Sequence, residues 1–133
     1  MNHDTHFARE VSPVVILHNE ASLKRLKRDP FFLKGAKITD NDILSIIVSY
    51  TGGCKKHDFI LAAVPIFATN AENHQIDIIL SHQNNADMCK KIVTESLYFD
   101  LSPLKEKYQK AYGIKKSSML LRIMNITIEY QFN

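Results

Sequence analysis

The feature that most constrains the fold is a succession of apolar, strand-like runs that follow one another through short polar turns. Residues 43–50, Ile-Leu-Ser-Ile-Ile-Val-Ser-Tyr, form the clearest run, and residues 59–67 and 75–82 follow after turns that contain glycine or asparagine. Parallel neighbours need long crossover connections, usually helices, and these are absent between the runs. The pattern therefore predicts an antiparallel arrangement of strands.

Other segments extend this prediction. Residues 13–18, 95–101 and 118–132 also predict strands, and the last is long enough for one strand or a bent pair. Short helices are expected after the N-cap Asn19 and from the N-cap Ser102. We therefore predict a mainly β protein, namely a two-layer antiparallel β-sandwich of the immunoglobulin-like type with one or two short helices. An α+β fold is the alternative.

The chain is predicted to form one folded unit. Its 133 residues are within the usual size of a single domain, and no internal repeat or linker interrupts them. The polar residues 1–11 predict a flexible N-terminal arm, and residues 12–133 predict a single β-rich domain.

Charge and hydropathy disfavour some classes of function. The formal net charge is +3, whereas nucleic-acid binders usually carry a larger basic excess, so nucleic acid is not favoured as a partner. No stretch approaches the roughly 20 apolar residues of a membrane span, and no apolar signal segment follows Met1. The chain as given is therefore predicted to be cytoplasmic, or periplasmic or lipoprotein-like if a leader has been removed.

Basic residues cluster at two places, and each cluster is interpreted first as the solvated face of a helix. The clusters are Lys24, Arg25, Lys27 and Arg28, and Lys105, Lys107, Lys110, Lys115 and Lys116.

The two cysteines each lie near a histidine, in segments that are typical of turns between strands. Cys54 and His57 have the spacing Cys-x2-His, and His82 and Cys89 have the looser spacing His-x6-Cys. A hairpin between the second and third predicted strands would bring Cys54 near His82. Because zinc takes four nitrogen or sulfur ligands in a tetrahedron, these four residues are candidate zinc ligands.

Other interpretations of the same residues stay open. Cys54 and Cys89 could form one disulfide, which the cytoplasm would disfavour, or could be small buried apolar residues. Cys54 could also be a reactive thiol that His57 or neighbouring lysines activate. No third orienting group or oxyanion-binding element stands out, so we assign no catalytic residue.

Three hypotheses for the function follow. The leading one is a non-enzymatic β-sandwich that binds a partner, such as another protein, and uses the Cys/His cluster as a structural element. The first alternative is a metal- or thiol-dependent enzyme built on the same cluster, with zinc as the expected cofactor. The second is weak binding of nucleic acid or acidic partners through the lysine-rich helix that carries Lys105, Lys107 and Lys110.

Three segments matter together: Tyr50–Phe59 (YTGGCKKHDF), His82–Cys89, and Phe99–Leu104 (FDLSPL). Together they resemble a family of small uncharacterised bacterial proteins, many of them predicted lipoproteins or periplasmic proteins, over about residues 38 to 132. The resemblance implies no substrate, but it implies that seven residues belong to one structural unit: Gly52, Gly53, Cys54, His57, Phe59, His82 and Cys89. It also implies an oxidising compartment, which favours the disulfide. The chain departs from the family in lacking a leader.

Overall fold

The computed structural model describes residues 9–64, 75–113 and 118–132, and the structural statements that follow refer to these residues. They form nine strands and two helices. In chain order these are β1 (Ser12–Pro13), β2 (Val15–Ile16), α1 (Glu20–Lys24), β3 (Phe32–Thr39), β4 (Ile43–Gly52), β5 (Asp58–Ala63), β6 (Gln75–Gln83), β7 (Lys91–Asp100), α2 (Ser102–Tyr112), β8 (Ser118–Ile123) and β9 (Ile126–Gln131). The prediction of a mainly β fold with two short helices is confirmed.

The strands form two sheets around one hydrophobic core. The first sheet has the order β1-β7-β4-β3, and the second has the order β2-β5-β6-β8-β9. The core between them draws alternate residues from β4, such as Leu44, Ile46 and Val48, and from β6, such as Ile76 and Ile78. This alternation follows from the strand period of two, which puts successive side chains on opposite faces.

The sheets differ from the wholly antiparallel, immunoglobulin-like arrangement that the sequence predicts, because both are mixed. The pairs β1–β7, β2–β5 and β6–β8 are parallel, and the other pairs are antiparallel. The first two parallel pairs arise because the predicted strand at 13–18 is split at the buried Val14. Its two halves join different sheets, each beside a strand that runs in the same direction.

Element boundaries show three further differences. Strand β3 is not predicted from the sequence. The long run at 118–132 forms a hairpin, with a turn at Met124, whose φ is 53°. The N-cap of α2 is Leu101 and not Ser102, because the Asp100 carboxylate accepts the Ser102 N–H (2.9 Å) and Ser102 becomes the first helical residue. By contrast, Asn19 caps α1 as predicted, and its Oδ1 accepts the Ser22 N–H.

Two predictions fall partly or wholly on residues outside the described ranges. The end of the predicted strand at 59–67 lies there, and β5 is described to Ala63. Most of the predicted arm, residues 1–8, also lies there, whereas Arg9 is described and forms an ion pair with Glu95.

Five strand ends meet at one end of the two sheets, which we call the cleft end. The last residue of β4, Gly52, pairs with the first residue of β7, Lys91. Asp58, which begins β5, pairs with Gln83, which ends β6. The first residue of β3, Phe32, pairs with Ser49 near the end of β4. The turn from β4 to β5 and the loop from β6 to β7 therefore lie beside each other.

Candidate functional site

The four site residues predicted from the sequence come together at the cleft end. Cys54, in the turn between β4 and β5, and Cys89, in the loop between β6 and β7, are joined by a disulfide with 5.8 Å between their Cα atoms. His57 Nδ1 lies 2.8 Å from His82 Nε2. The disulfide is one of the alternatives that the sequence left open. A zinc site made from the same four residues stays a prediction for a reduced form of the protein.

The two histidines are buried and fully hydrogen-bonded. His57 has 0% and His82 has 1% of its surface exposed. His57 Nε2 lies 2.8 Å from Asp87 Oδ2, and His82 Nδ1 lies 3.1 Å from the carbonyl oxygens of both Asp29 and Pro30. The result is a continuous relay from the Asp87 carboxylate through His57 and His82 to the backbone before β3.

The relay needs one more proton than two neutral imidazoles supply. His82 must donate from Nδ1, because its partners there are carbonyl oxygens, which only accept. His57 donates from Nε2 to the Asp87 carboxylate, and a third proton lies in the hydrogen bond between His57 Nδ1 and His82 Nε2. The hydrogen bonds thus give the histidine pair one positive charge, buried beside the Asp87 carboxylate.

The surroundings of Asp87 favour its charged form. Burial is the largest single effect and would raise the pKa of this carboxyl, but the hydrogen bonds that it accepts, first of all that of His57, together outweigh burial and hold the pKa well below the usual range. The backbone N–H groups of Cys89, Lys55 and Cys54 act in the same direction. Burial, and then the charge of His57, lower the pKa of His82, which favours the neutral form of its imidazole.

Gly52 is required for this close approach. A Cβ atom at position 52 would lie 2.6 Å from His57 Nε2 and 2.7 Å from Asp87 Oδ2, much closer than packed atoms can come. Gly53 has a φ of +107°, which glycine adopts without strain. The two glycines therefore have different roles, since the first makes room for the ion pair and the second turns the chain toward Cys54.

Aromatic rings surround the histidine pair. Tyr50 stacks on His57 with 4.2 Å between ring centroids, and Phe59 stacks on His82 at 4.5 Å with an interplanar angle of 3°. Phe31 contacts the His82 ring edge-on at 5.9 Å. This packing fixes the orientation of both imidazoles.

The hydroxyl group of Tyr50 contacts two charged side chains, Glu95 and Arg9. The hydroxyl donates a hydrogen bond to Glu95, and Arg9 forms a two-pronged ion pair with the same carboxylate. Burial, and then the bond to Glu95, raise the pKa of Tyr50 far above its ordinary value, so the phenol stays protonated. Tyr50 is therefore a fixed hydrogen-bond donor and not a base.

A cleft of about 300 Å³ opens beside this cluster. Residues of the segment before β3, of β4 and of the β6–β7 loop line it: Pro30, Phe31, Phe32, Tyr50, Thr51, His82, Asn84, Asp87 and Cys89. Its wall is mostly apolar, and its polar residues include His82 and Asp87 of the relay as well as Thr51 and Asn84. Concave, largely apolar sites with a few converging polar groups are the usual form of binding sites.

Asp87 is the central residue of this site that the sequence did not reveal. An aspartate in a polar loop is typical of a solvated turn residue, so its position alone does not indicate a buried site. Its carboxylate oxygen and the two cysteine sulfur atoms lie within 4.8 Å of one another, which is the metal-ligand grouping found among the described residues. The one sequence signal was its place two residues before Cys89, where a side chain can accept the backbone N–H of the cysteine.

The lysine-rich helix α2 lies away from this cluster. It begins after Asp100, at the end of β7 opposite to the cleft end. Lys105 in this helix forms an ion pair with Asp42 at 2.8 Å, so part of its basic charge is compensated. Binding of nucleic acid or acidic partners through this helix stays a prediction. No helix of the described segments has the length and apolar character needed to cross a membrane.

The fold and the cluster together define the class of protein, which is a two-sheet, mainly β domain with a disulfide-tied, aromatic-lined cleft. No family model matches the chain, and no curated protein matches it. Among solved structures, it is similar to a NigD-like immunity protein from Bacteroides caccae ATCC 43185, with 17% identity, a TM-score of 0.59, and coverage of 90% of this chain and 58% of that chain.

A second solved structure shows the same likeness. It is a protein of unknown function, DUF1344, from Bacteroides vulgatus ATCC 8482, with 12% identity and a TM-score of 0.56. The match covers 94% of this chain and 58% of that chain. The chain thus spans less than two thirds of the length of both neighbours. At these identities the likeness shows the fold, which agrees with the mainly β class predicted from the sequence.

Proposed function

We propose that the protein is a non-catalytic binding domain and that its working surface is the cleft end. Three large apolar side chains carry this proposal: Phe32, Met88 and Ile92 expose 72%, 85% and 74% of their surface. Phe32 lines the cleft, Met88 lies between two lining residues, and Ile92 pairs with the lining residue Thr51. Apolar groups gathered beside a concave site favour binding, because a partner would remove them from water.

The buried groups support a structural role for the Cys/His cluster. His57 and His82 present almost no surface to a substrate, and every ring nitrogen already has a hydrogen-bond partner. Cys54 and Cys89 are bonded to each other, so neither is a free thiol. A general acid, base or nucleophile must reach the reacting atoms with a free functional group, whereas the two imidazoles are buried and the two sulfur atoms are bonded to each other. The cluster therefore serves to hold the cleft in shape.

The disulfide also supports a proposal about the compartment in which the protein is located. Disulfides persist in oxidising surroundings and are rare in the cytosol, so we propose a periplasmic or lipoprotein-like location instead of the cytoplasm. The contacts among Gly52, Cys54, His57 and Cys89 support the further proposal that the chain belongs to the family of small bacterial proteins that its sequence resembles.

Site-specific photo-crosslinking in the source cells tests the binding role. A photoreactive benzoylphenylalanine would replace Met88 in one variant and, as a matched control, Met124 in the β8–β9 turn, which is also exposed. We expect a light-dependent adduct of discrete mass from position 88, and excess unlabelled wild-type protein should compete it away. Equal labelling from position 124, or no adduct from position 88, would contradict the proposal.

A further inference from the structure

The disulfide concentrates positive charge at the cleft end. Each of Cys54 and Cys89 is followed by two lysines, so the bond between the cysteines places two lysine pairs beside each other. All four lysines are exposed: Lys55, Lys56, Lys90 and Lys91. Because the pairs are far apart in the sequence, their juxtaposition follows only from the fold.

A second basic group joins them from the segment between α1 and β3. The backbone N–H of His82 donates to the Lys27 carbonyl oxygen (3.2 Å), and Arg28 forms an isolated bridge with His82. The sequence predicts the solvated face of a helix here, but α1 ends at Lys24 and the following residues run along β6. The exposed basic side chains beside His82 are Lys27 and Arg28.

Acidic side chains at this end offset only part of that charge. Asp87 is buried and paired with His57. Asp29 and Asp58, which accept the Asn84 N–H and the Asn85 side-chain amide at 2.8 Å, are two carboxylates beside six exposed lysines and arginines. At the opposite end of the sheets, the acidic turn from β3 to β4 is offset by the basic helix α2, whose Lys105 pairs with Asp42.

We infer that the partner of the cleft end is an acidic protein segment that also carries apolar side chains, an inference that rests on the proposed function. The exposed lysines and arginines would attract and orient such a segment, since complementary charge chiefly governs encounter and specificity. The exposed Phe32, Met88 and Ile92 would supply contact area. Their presence favours a protein over a nucleic acid, whose phosphate backbone offers no apolar groups to cover them.

Random copolymers of glutamate and tyrosine provide a defined probe. Fluorescence anisotropy would compare labelled poly(Glu,Tyr) with poly(Glu) of the same length, on the purified, disulfide-bonded protein. We expect tighter binding of poly(Glu,Tyr), weakened as salt is raised. Lys56→Gln with Lys90→Gln should weaken it by roughly fivefold, whereas the matched pair Lys107→Gln with Lys110→Gln, on α2, should leave it unchanged.

A separate variant tests the contribution of the exposed apolar side chains to binding. Met88→Ser should remove the preference for poly(Glu,Tyr) over poly(Glu), because Met88 is the most exposed of the three apolar side chains. Unchanged melting temperatures would show that the exposed substitutions leave the fold intact.

Several results would overturn the inference. The first is that poly(Glu,Tyr) does not bind at low salt. The second is that the variant with Lys107→Gln and Lys110→Gln loses as much affinity as the variant with Lys56→Gln and Lys90→Gln. The third is that single-stranded oligothymidine of matched charge binds at least as tightly as poly(Glu,Tyr). The last result would identify a nucleic-acid surface. If the variant with Lys56→Gln and Lys90→Gln still gives the full crosslink from position 88, the inference that the partner is acidic is wrong. The proposed binding function of the cleft end would still stand. If position 88 gives no crosslink even in the wild-type background, the binding role itself is wrong.

Discussion

His57 and His82 form a hydrogen bond of 2.8 Å between ring nitrogens in the interior of the cleft end. The outer nitrogens of the pair face Asp87 on one side and two backbone carbonyl oxygens on the other. One relay thus ties together the turn before β5, the β6–β7 loop and the segment before β3. Together with the disulfide, it gives three irregular segments a fixed arrangement around the cleft.

The relay predicts the protonation state of both histidines. At neutral pH, the histidine pair should carry three ring protons, one on His82 Nδ1, one on His57 Nε2 and one in the hydrogen bond between the rings, because two protons cannot satisfy every hydrogen bond of the relay. Long-range proton–nitrogen correlation spectra of uniformly labelled protein distinguish the tautomers directly. A spectrum with only two ring protons in the pair, or with His82 Nδ1 unprotonated, would show that the relay is assigned incorrectly.

Acid should destabilise the protein in two stages. Burial and the charge of His57 lower the pKa of His82 from 6.5, so the unfolded chain takes up a proton that the folded state resists. Burial raises the pKa of Asp87, but the hydrogen bonds from His57 and from three backbone N–H groups together lower it from 3.8, so the unfolded chain again binds the proton first. In both cases stability is present above the unfolded pKa and falls as the pH drops below it.

Urea unfolding across a pH series measures this effect. The unfolding midpoint should fall between about pH 7 and pH 5, and fall again below about pH 4. In the variant His82→Gln, the decrease of the unfolding midpoint between about pH 7 and pH 5 should be absent, and the decrease below about pH 4 should remain. A midpoint that does not change between pH 7 and pH 5 in the wild type would contradict the account of His82.

Gly52→Ala should destabilise the domain by about 1–3 kcal/mol, because its Cβ would overlap the His57 ring and the Asp87 carboxylate. Gly35→Ala is the matched control, since that glycine also lies in a strand of the first sheet and no atom lies within 4 Å of an added Cβ. Chemical denaturation of both variants provides the comparison. Equal effects at the two positions would mean that Gly52 is not packed against the ion pair.

Much of the fold could be predicted from side-chain alternation. Strands β4 and β6 were recognisable because one face of each is packed in the core, which demands apolar residues at every second position. Strand β3 was missed because it lies at an edge, where Lys34, Gly35 and Lys37 interrupt the apolar pattern. Strands β1 and β2 have two residues each, too few for any period to show, and the parallel pairs depend on which sheet each half joins.

The site was predicted in part for similar reasons. Cys54, His57, His82 and Cys89 could be grouped because cysteine and histidine are rare and lie near turns. The pairing of the sulfur atoms depends on the geometry of two loops, which spacing does not determine. The contact of Gly52 and Asp87 with the histidine pair could not be predicted, because a close approach between loops leaves no local signal in the sequence.

Loss of the disulfide should lower the free energy of unfolding by about 2–4 kcal/mol, since the crosslink between Cys54 and Cys89 spans 35 residues and restricts the unfolded chain. The variants Cys54→Ser and Cys89→Ser should each show the full loss, and the double variant should add nothing to it. Reductant should destabilise the wild type and leave the double variant unchanged. Additive effects of the two substitutions would indicate that each cysteine acts separately.

The central claim is that the Cys/His cluster is a structural support for a binding cleft and not a metal-dependent or thiol-dependent active site. Intact mass spectrometry tests it most directly, on protein taken from its own cells after free thiols have been blocked, first under native conditions and then after denaturation without reductant. We predict a mass two hydrogens below the reduced value in both states, with no blocked thiol and no bound metal. A native mass heavier by one zinc that is lost on denaturation, or blocking at Cys54 and Cys89, would contradict the account.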